Sequence, residues 1–217
     1  MKSRATKDDL HMRTIPTVFA LSLLLAGCSV FNRESPSAAH FMLAPARESV
    51  MHTAPKGSII VRRVTVQRPF DVRGFVYRMV NGQWRVDAYN GFLADPGDMI
   101  GDALVRALED SGCFTRAETA AVSVPTDFAA ETVVESFYAD FSDPAKPVAV
   151  VRMRTYVVDR RKGGSPVYCV ATGEGSAPIT PRSPESVADA MSAAVAQAIH
   201  ATIVGIPVEG AAAANSG

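Results

Sequence analysis

The 217-residue chain carries no net charge, its 22 Lys and Arg balancing 22 Asp and Glu. A nucleic-acid partner calls for a basic excess, so this composition excludes that class. Histidine is scarce, and His40, His52 and His200 stand far from one another and from the cysteines, without ligand spacing. Neither a metal nor a cofactor is expected on that pattern. No Gly-x-Ser-x-Gly elbow occurs. "TGEGSAP" (172–178) comes nearest, but Ser176 falls on a predicted strand and the second glycine is missing at the required spacing. "GEG" is followed by neither a helix nor a lysine, and phosphate binding needs the free amides at a helix start. Asp95, Asp98 and Asp102 read as acidic residues at the positive end of a helix, with Asp95 as its cap. His200 reads as a solvated helix residue. No catalytic residue emerges, and the chain is not expected to be an enzyme.

What is present begins at the amino end. Lys2, Arg4, Lys7 and Arg13 outnumber Asp8 and Asp9, and an apolar run from Ile15 to Leu25 follows. That run is too short to cross a bilayer, which takes about 20 apolar residues, and has the layout of a secretory signal peptide. The order Leu25-Ala26-Gly27-Cys28 resembles the lipobox of bacterial lipoproteins. The resemblance implies cleavage between Gly27 and Cys28, with a diacylglycerol thioether-linked to Cys28. Ser29 implies sorting to the outer membrane, facing the periplasm. Residues 1–27 are then a signal peptide and 28–39 a lipidated tether, "SVFNRESPSAA" being polar. No further apolar run of spanning length is expected, so the lipid is the anchor. The compartment is oxidising, so Cys113 and Cys169 can form a disulfide. Two buried free thiols are the preferred reading of the pair.

Residues 40–206 fit one medium domain. "HFMLAP" (40–45) reads as a first strand and "SIIVRRVTVQ" (58–67) as a second, rich in β-branched residues. "GFVYRMV" (74–80) and "WRVDAY" (84–89), joined by "NGQ", form a hairpin. A helix runs from Pro96 to Ser111, with Ile100, Ala103, Leu104, Ala107 and Leu108 on its apolar stripe and Gly112 as its stop. After a loop, "TVVESFYADF" (132–141) is a strand with Val133, Phe137 and Phe141 on one face. "PVAVVRMRTYVVDR" (147–160) follows, with Val151, Met153 and Val157 opposed to Arg152 and Arg154. "PVYCVATGEGSAPI" (166–179) is a third strand of this half. A second helix spans Pro184 to Ile206, and 207–217 is an unpatterned tail. Two rounds of strands, each closed by one amphipathic helix, predict an α+β class: a single two-layer domain, a mostly antiparallel sheet with both helices on one face. Arg152 and Arg154 are a candidate partner-binding surface. The plainer account pairs them across strands with carboxylates such as Asp140 or Glu135. Phe75, Tyr77, Trp84, Tyr89 and Phe92 read as core for the most part.

Several stretches together resemble the ABC-type transport auxiliary lipoproteins, including the paraquat-inducible protein C-like ones. They are the lipobox, "FMLAP" (41–45), "FVYR" (75–78), a helix ending in "SGCF" (111–114) and the closing helix "SVADAMSAAVAQAIHATIVGI" (186–206). Phe41 departs from the tyrosine common at its position. The resemblance implies an accessory role beside an ABC permease, its ATPase and a mammalian cell entry-type periplasmic subunit. Such systems move lipids or other hydrophobic molecules between the inner and outer membranes. It also implies contact with that subunit through the sheet edge or hairpin, and homo-oligomers in some members. Two alternatives stay open: a structural or regulatory lipoprotein assisting outer-membrane assembly or cell-wall synthesis, and an anchored hydrolase.

Overall fold

The computed structural model describes residues 38–47, 55–121 and 124–207. Gly27, Cys28, nearly all of the tether and the tail from 208 lie outside the described residues. In chain order the elements are β1 (Ala39–Phe41), β2 (Lys56–Val61), β3 (Thr65–Val66), β4 (Gly74–Met79), β5 (Trp84–Phe92), α1 (Pro96–Asp110), β6 (Phe114–Thr119), β7 (Phe128–Phe141), β8 (Val148–Asp159), β9 (Val167–Pro178) and α2 (Pro184–Val204).

β7 is the spine of the sheet. On one side it pairs antiparallel with β8, which pairs antiparallel with β9. On its other side three short segments follow one another in parallel: β2 at Ile59↔Phe128, β3 at Thr65↔Val133 and β4 at Tyr77↔Ala139. β6 lies parallel outside β2, β5 antiparallel outside β4, and β1 parallel against the last residues of β5. The long ladders are antiparallel, the short ones parallel, and both helices pack on one face. The α+β class stands.

Four local differences from the sequence expectation have physical causes. The 58–67 run divides into β2 and β3 because Val61, Val64 and Val66 are all buried. Strict alternation cannot put 61 and 64 on one face, so Arg62 and Arg63 loop outward. β1 stops at Phe41, and the chain continues over the helices: Leu43 is buried, the Ala44 N–H donates to Ser192 Oγ (3.1 Å), and Arg47 pairs with Asp110 (3.3 Å). β7 starts at Phe128, four residues early, and its register shifts between Val134 and Ser136. That bulge replaces the face 133/137/141 with Val134, Phe137 and Ala139, all buried. β6 falls in a stretch given no element, because only Phe114 and Ala117 of its six residues are buried.

α1 carries its expected stripe inward, and Gly112 (φ 63°) terminates it. Asp95 holds the cap position, but its carboxylate makes no capping bond. It accepts instead from Arg73 Nε at 2.8 Å, a charge-assisted bond that outcompetes a neutral amide. α2 is capped by Ser183, whose hydroxyl accepts from the Ser186 N–H. By length and composition this helix could cross a membrane, contrary to the expectation of no second such run. It is mostly buried, with Val187, Met191, Ala194, Val195, Ala198 and Thr202 against the sheet. Gly173 and Gly175 of β9 let the α2 backbone come close, because a Cβ at either would collide with the carbonyls of Ala198 or Ala194.

A buried hydroxyl pair, Thr132 and Thr155, joins β7 to β8 at 2.8 Å. Thr132→Val or Thr155→Val alone strands the remaining hydroxyl and is expected to cost about 1–3 kcal/mol. The double variant should recover most of that in urea denaturation. Additive losses would show that the two hydroxyls do not depend on one another.

Candidate functional site

Gly27 and Cys28, expected to carry the anchor, lie outside the described residues, so the site is built from where the described chain begins and what the sheet leaves uncovered. From Cys28 to Ala38 an extended chain reaches at most about 35 Å. It enters through β1, on the outer side of β5. Met42 and Leu93, next to that entry, are exposed.

Arg152 and Arg154 project from β8 on the face away from the helices. Each has a cross-strand carboxylate, Arg152 with Glu174 (2.9 Å) and Arg154 with Glu135 (3.0 Å). Asp140 pairs with Arg78 of β4 instead (3.4 Å). Alternating strands place these charges opposite one another, which accounts for both arginines without a ligand.

Cys113 is buried and Cys169 half-buried, and both are free thiols. They flank Lys56, whose main-chain N–H donates to the Cys113 carbonyl (2.9 Å). Lys56 is 3% exposed, and its Nζ donates to the Pro207 carbonyl and lies 5.7 Å from the centroid of the Tyr168 ring. Burial pushes the Cys113 thiol up, and pushes Cys169 from an ordinary 9.0 to about 11, against the pull of the Lys56 charge. Because only the thiolate is nucleophilic, iodoacetamide should modify Cys169 of the native chain slowly at pH 8, the rate climbing toward pH 11. The sign for stability follows. Folded and unfolded chains hold the proton equally below pH 9, and between about 9 and 11 only the unfolded chain releases it, so stability falls across that window. Rapid native labelling at pH 8 would contradict the burial.

The five aromatics singled out in the sequence separate. Phe75 and Phe92 are core, with ring centroids 5.0 Å apart. Tyr77 is half-buried, while Trp84 and Tyr89 are exposed. On the face away from the helices Trp84 meets Tyr138 (4.9 Å) and Phe70 (5.7 Å), and Phe70 stacks on Tyr138 (5.6 Å). Phe70 sits in a loop with no periodicity to mark it, and Tyr138 was hidden by the bulge in β7.

Beside this cluster, among the described residues, the outer edge of β5 has no strand partner before β1 joins at Asn90. Tyr77 Oη donates to Asp87 Oδ2 (2.9 Å), and Asp87 also accepts from the Tyr89 and Asn90 amides and from Asn90 Nδ2. Burial works against ionisation of Asp87. The bonds from Asn90 and Tyr89 outweigh it and hold the carboxyl below its ordinary value, whereas burial and the Asp87 charge push the Tyr77 phenol up. Among the described residues, no group of three His, Cys, Asp or Glu converges as metal ligands.

The same architecture has been seen in crystals. Protein XCC0632 from Xanthomonas campestris, described under the family model DUF330, superposes with a TM-score of 0.64 at 21% identity, over 77% of this chain and 93% of that one. An uncharacterised protein superposes at 0.58 with 12% identity, over 76% and 95%. These likenesses establish a shared fold. Lipoprotein GNA1162 from Neisseria meningitidis aligns at only 0.35 with 12% identity, over 62% and 91%, and lends the reading of this chain no weight. No protein-family model matches the sequence, and no curated protein matches it.

Proposed function

We propose that this chain is a lipid-anchored accessory protein of the outer membrane, facing the periplasm. It serves an ABC-type system with a mammalian cell entry-type periplasmic subunit, which moves lipids or other hydrophobic molecules between the two membranes. The observation that carries the reading is Leu25-Ala26-Gly27-Cys28 at the end of a short apolar leader, a short polar tether ahead of one α+β domain. The chain's part is tethering and not chemistry. Fixing a weak partner to one membrane raises its effective concentration at the contact, and ATP is hydrolysed by the partner system. The resemblance implies contact through the sheet edge or hairpin, and on the hairpin of β4 and β5 Trp84, Val86 and Tyr89 are exposed; Arg152 and Arg154, each beside a carboxylate, are the other candidate surface.

Affinity purification of the full chain from cross-linked membranes tests this. Recovery of a mammalian cell entry-type subunit is the expected result. Recovery of cell-wall or membrane-assembly proteins alone would overturn the transport assignment and leave the anchor intact.

A further inference from the structure

Trp84 is the one tryptophan of the 217 residues. It begins β5 directly after the turn of the hairpin, where the Met79 N–H donates to the Gln83 carbonyl (2.8 Å) and Gly82 takes φ 74°. One side of its ring rests on Tyr138 and Phe70. The rest is open, leaving Trp84 46% exposed. Val80 of the turn is 63% exposed, and Val86, one alternation along the Trp84 face, is 54% exposed. Large apolar side chains grouped at a surface mark a contact with something less polar than water.

The ladders show what shares this end of the sheet. Met79 pairs with Phe141, Asp140 with Val148, and Val148 with Pro178, so the β4–β5 turn, the β7–β8 turn and the loop from β9 to α2 lie together. Charges of both signs meet there. Arg78 pairs with Asp140 (3.4 Å), and Lys146 and Arg182 share the end with Asp143 and Glu185. No large excess of either sign is left to draw a charged partner, so the exposed apolar side chains set the character of this end.

The chain also arrives from this side. β1 is parallel to β5, with Ala39 opposite Asn90, so its start points back toward the turn. Six strand positions separate Asn90 from Trp84, about 20 Å. The residues from Cys28 to Ala38 reach at most about 35 Å, enough to set Cys28 beyond the tip of the hairpin. To place Cys28 at the opposite end of the sheet, marked by the Phe128↔Asp159 pair, the chain would first have to reverse.

We propose that the hairpin tip, with Val80 and Trp84, sits in the headgroup layer of the leaflet that holds the lipid on Cys28, so that the domain stands end-on to the membrane. Tryptophan favours that layer because most of its ring is apolar while its N–H can bond to headgroups or water. The lipid holds the tip within reach of the surface, so that even a weak insertion is occupied most of the time. The contact takes the tip alone and leaves Tyr89 and the Arg152–Arg154 face to protein partners. It rests on the anchor at Cys28 and not on the transport role.

The full lipidated chain, reconstituted in vesicles of phosphatidylethanolamine and phosphatidylglycerol, provides the test, with flotation showing that it is anchored. Lipids brominated near the headgroup end of their acyl chains should quench Trp84 fluorescence at least twofold, equally at low and high salt. In the Trp84→Phe background, Val80→Trp should be quenched as strongly. Leu93→Trp, exposed just past the far end of β5, should not be quenched. Unquenched Trp84 in chains that float would overturn the proposal and leave the anchor intact, whether its emission is that of water or is blue-shifted by a protein neighbour. Equal quenching at 84 and 93 would overturn it too, because the domain would then lie on its side. Chains that do not float would overturn the anchored reading and this inference with it.

Discussion

Cys28→Ala is expected to abolish lipid labelling and to shift the surviving protein from the membrane to the soluble fraction. Each buried methylene of an attached chain contributes about 0.8 kcal/mol, so two or three acyl chains hold a protein on a membrane for as long as it exists. Among the described residues nothing replaces them. The apolar run from Ile15 to Leu25 is too short to span, and α2, though apolar and 21 residues long, has its apolar stripe against the sheet. Extracting it would cost the domain its core. Palmitate labelling and fractionation read the two effects separately. Labelled Cys28→Ala protein would place the anchor elsewhere, and unlabelled protein that stays on the membrane would show that a partner, not a lipid, retains it.

The second large effect concerns the seam between the layers. Gly173→Val and Gly175→Val are each expected to destabilise the domain by about 3 kcal/mol or more, at the upper end of what overpacking does. A Cβ at 173 meets the Ala198 carbonyl oxygen and the Thr202 hydroxyl, and one at 175 meets the Ala194 carbonyl oxygen. These are backbone and short-side-chain atoms that cannot swing aside, so helix and strand must separate. The double variant should yield no folded protein. Gly163→Ala, with nothing near its Cβ position, is the control and should leave the urea midpoint unchanged. Wild-type midpoints for the valine variants would mean that α2 rests farther from β9.

Where the chain obeys one period, its sequence discloses the element. α1, α2 and β8 are legible because their buried faces recur at 3.6 or 2 residues, and the hairpin because its Asn81-Gly82 turn places Gly82 at φ 74°. The errors sit where the period breaks. Val61, Val64 and Val66 share a face only through the outward loop at Arg62 and Arg63, and Val134 and Phe137 only through a bulge. Such insertions shift the register by one residue, and nothing local announces them. The parallel pairings of β2, β3 and β4 along β7 were equally hidden, since parallel partners are set by distant chain crossings and not by turns. Asp95 illustrates a different failure. Its position is that of a cap, but Arg73, brought near by the fold, takes the carboxylate.

The candidate site divides the same way. The string Leu25-Ala26-Gly27-Cys28 lies outside the described residues, and the anchor proposed for it rests on the linear sequence alone. The exposed β5 edge and the Phe70–Trp84–Tyr138 cluster are not legible there, because they depend on which strand has a neighbour. Alternation does mark Arg152 and Arg154 as exposed, and the Glu135 pairing was readable from that. Glu174 became a partner only through the β8–β9 register.

The intact mass of the mature amino terminus, measured on protein purified from membranes, tests the central claim most directly. The account expects a chain that begins at Cys28 and carries a diacylglyceryl group, with or without an amide-linked acyl chain. An unmodified terminus at any residue would contradict it.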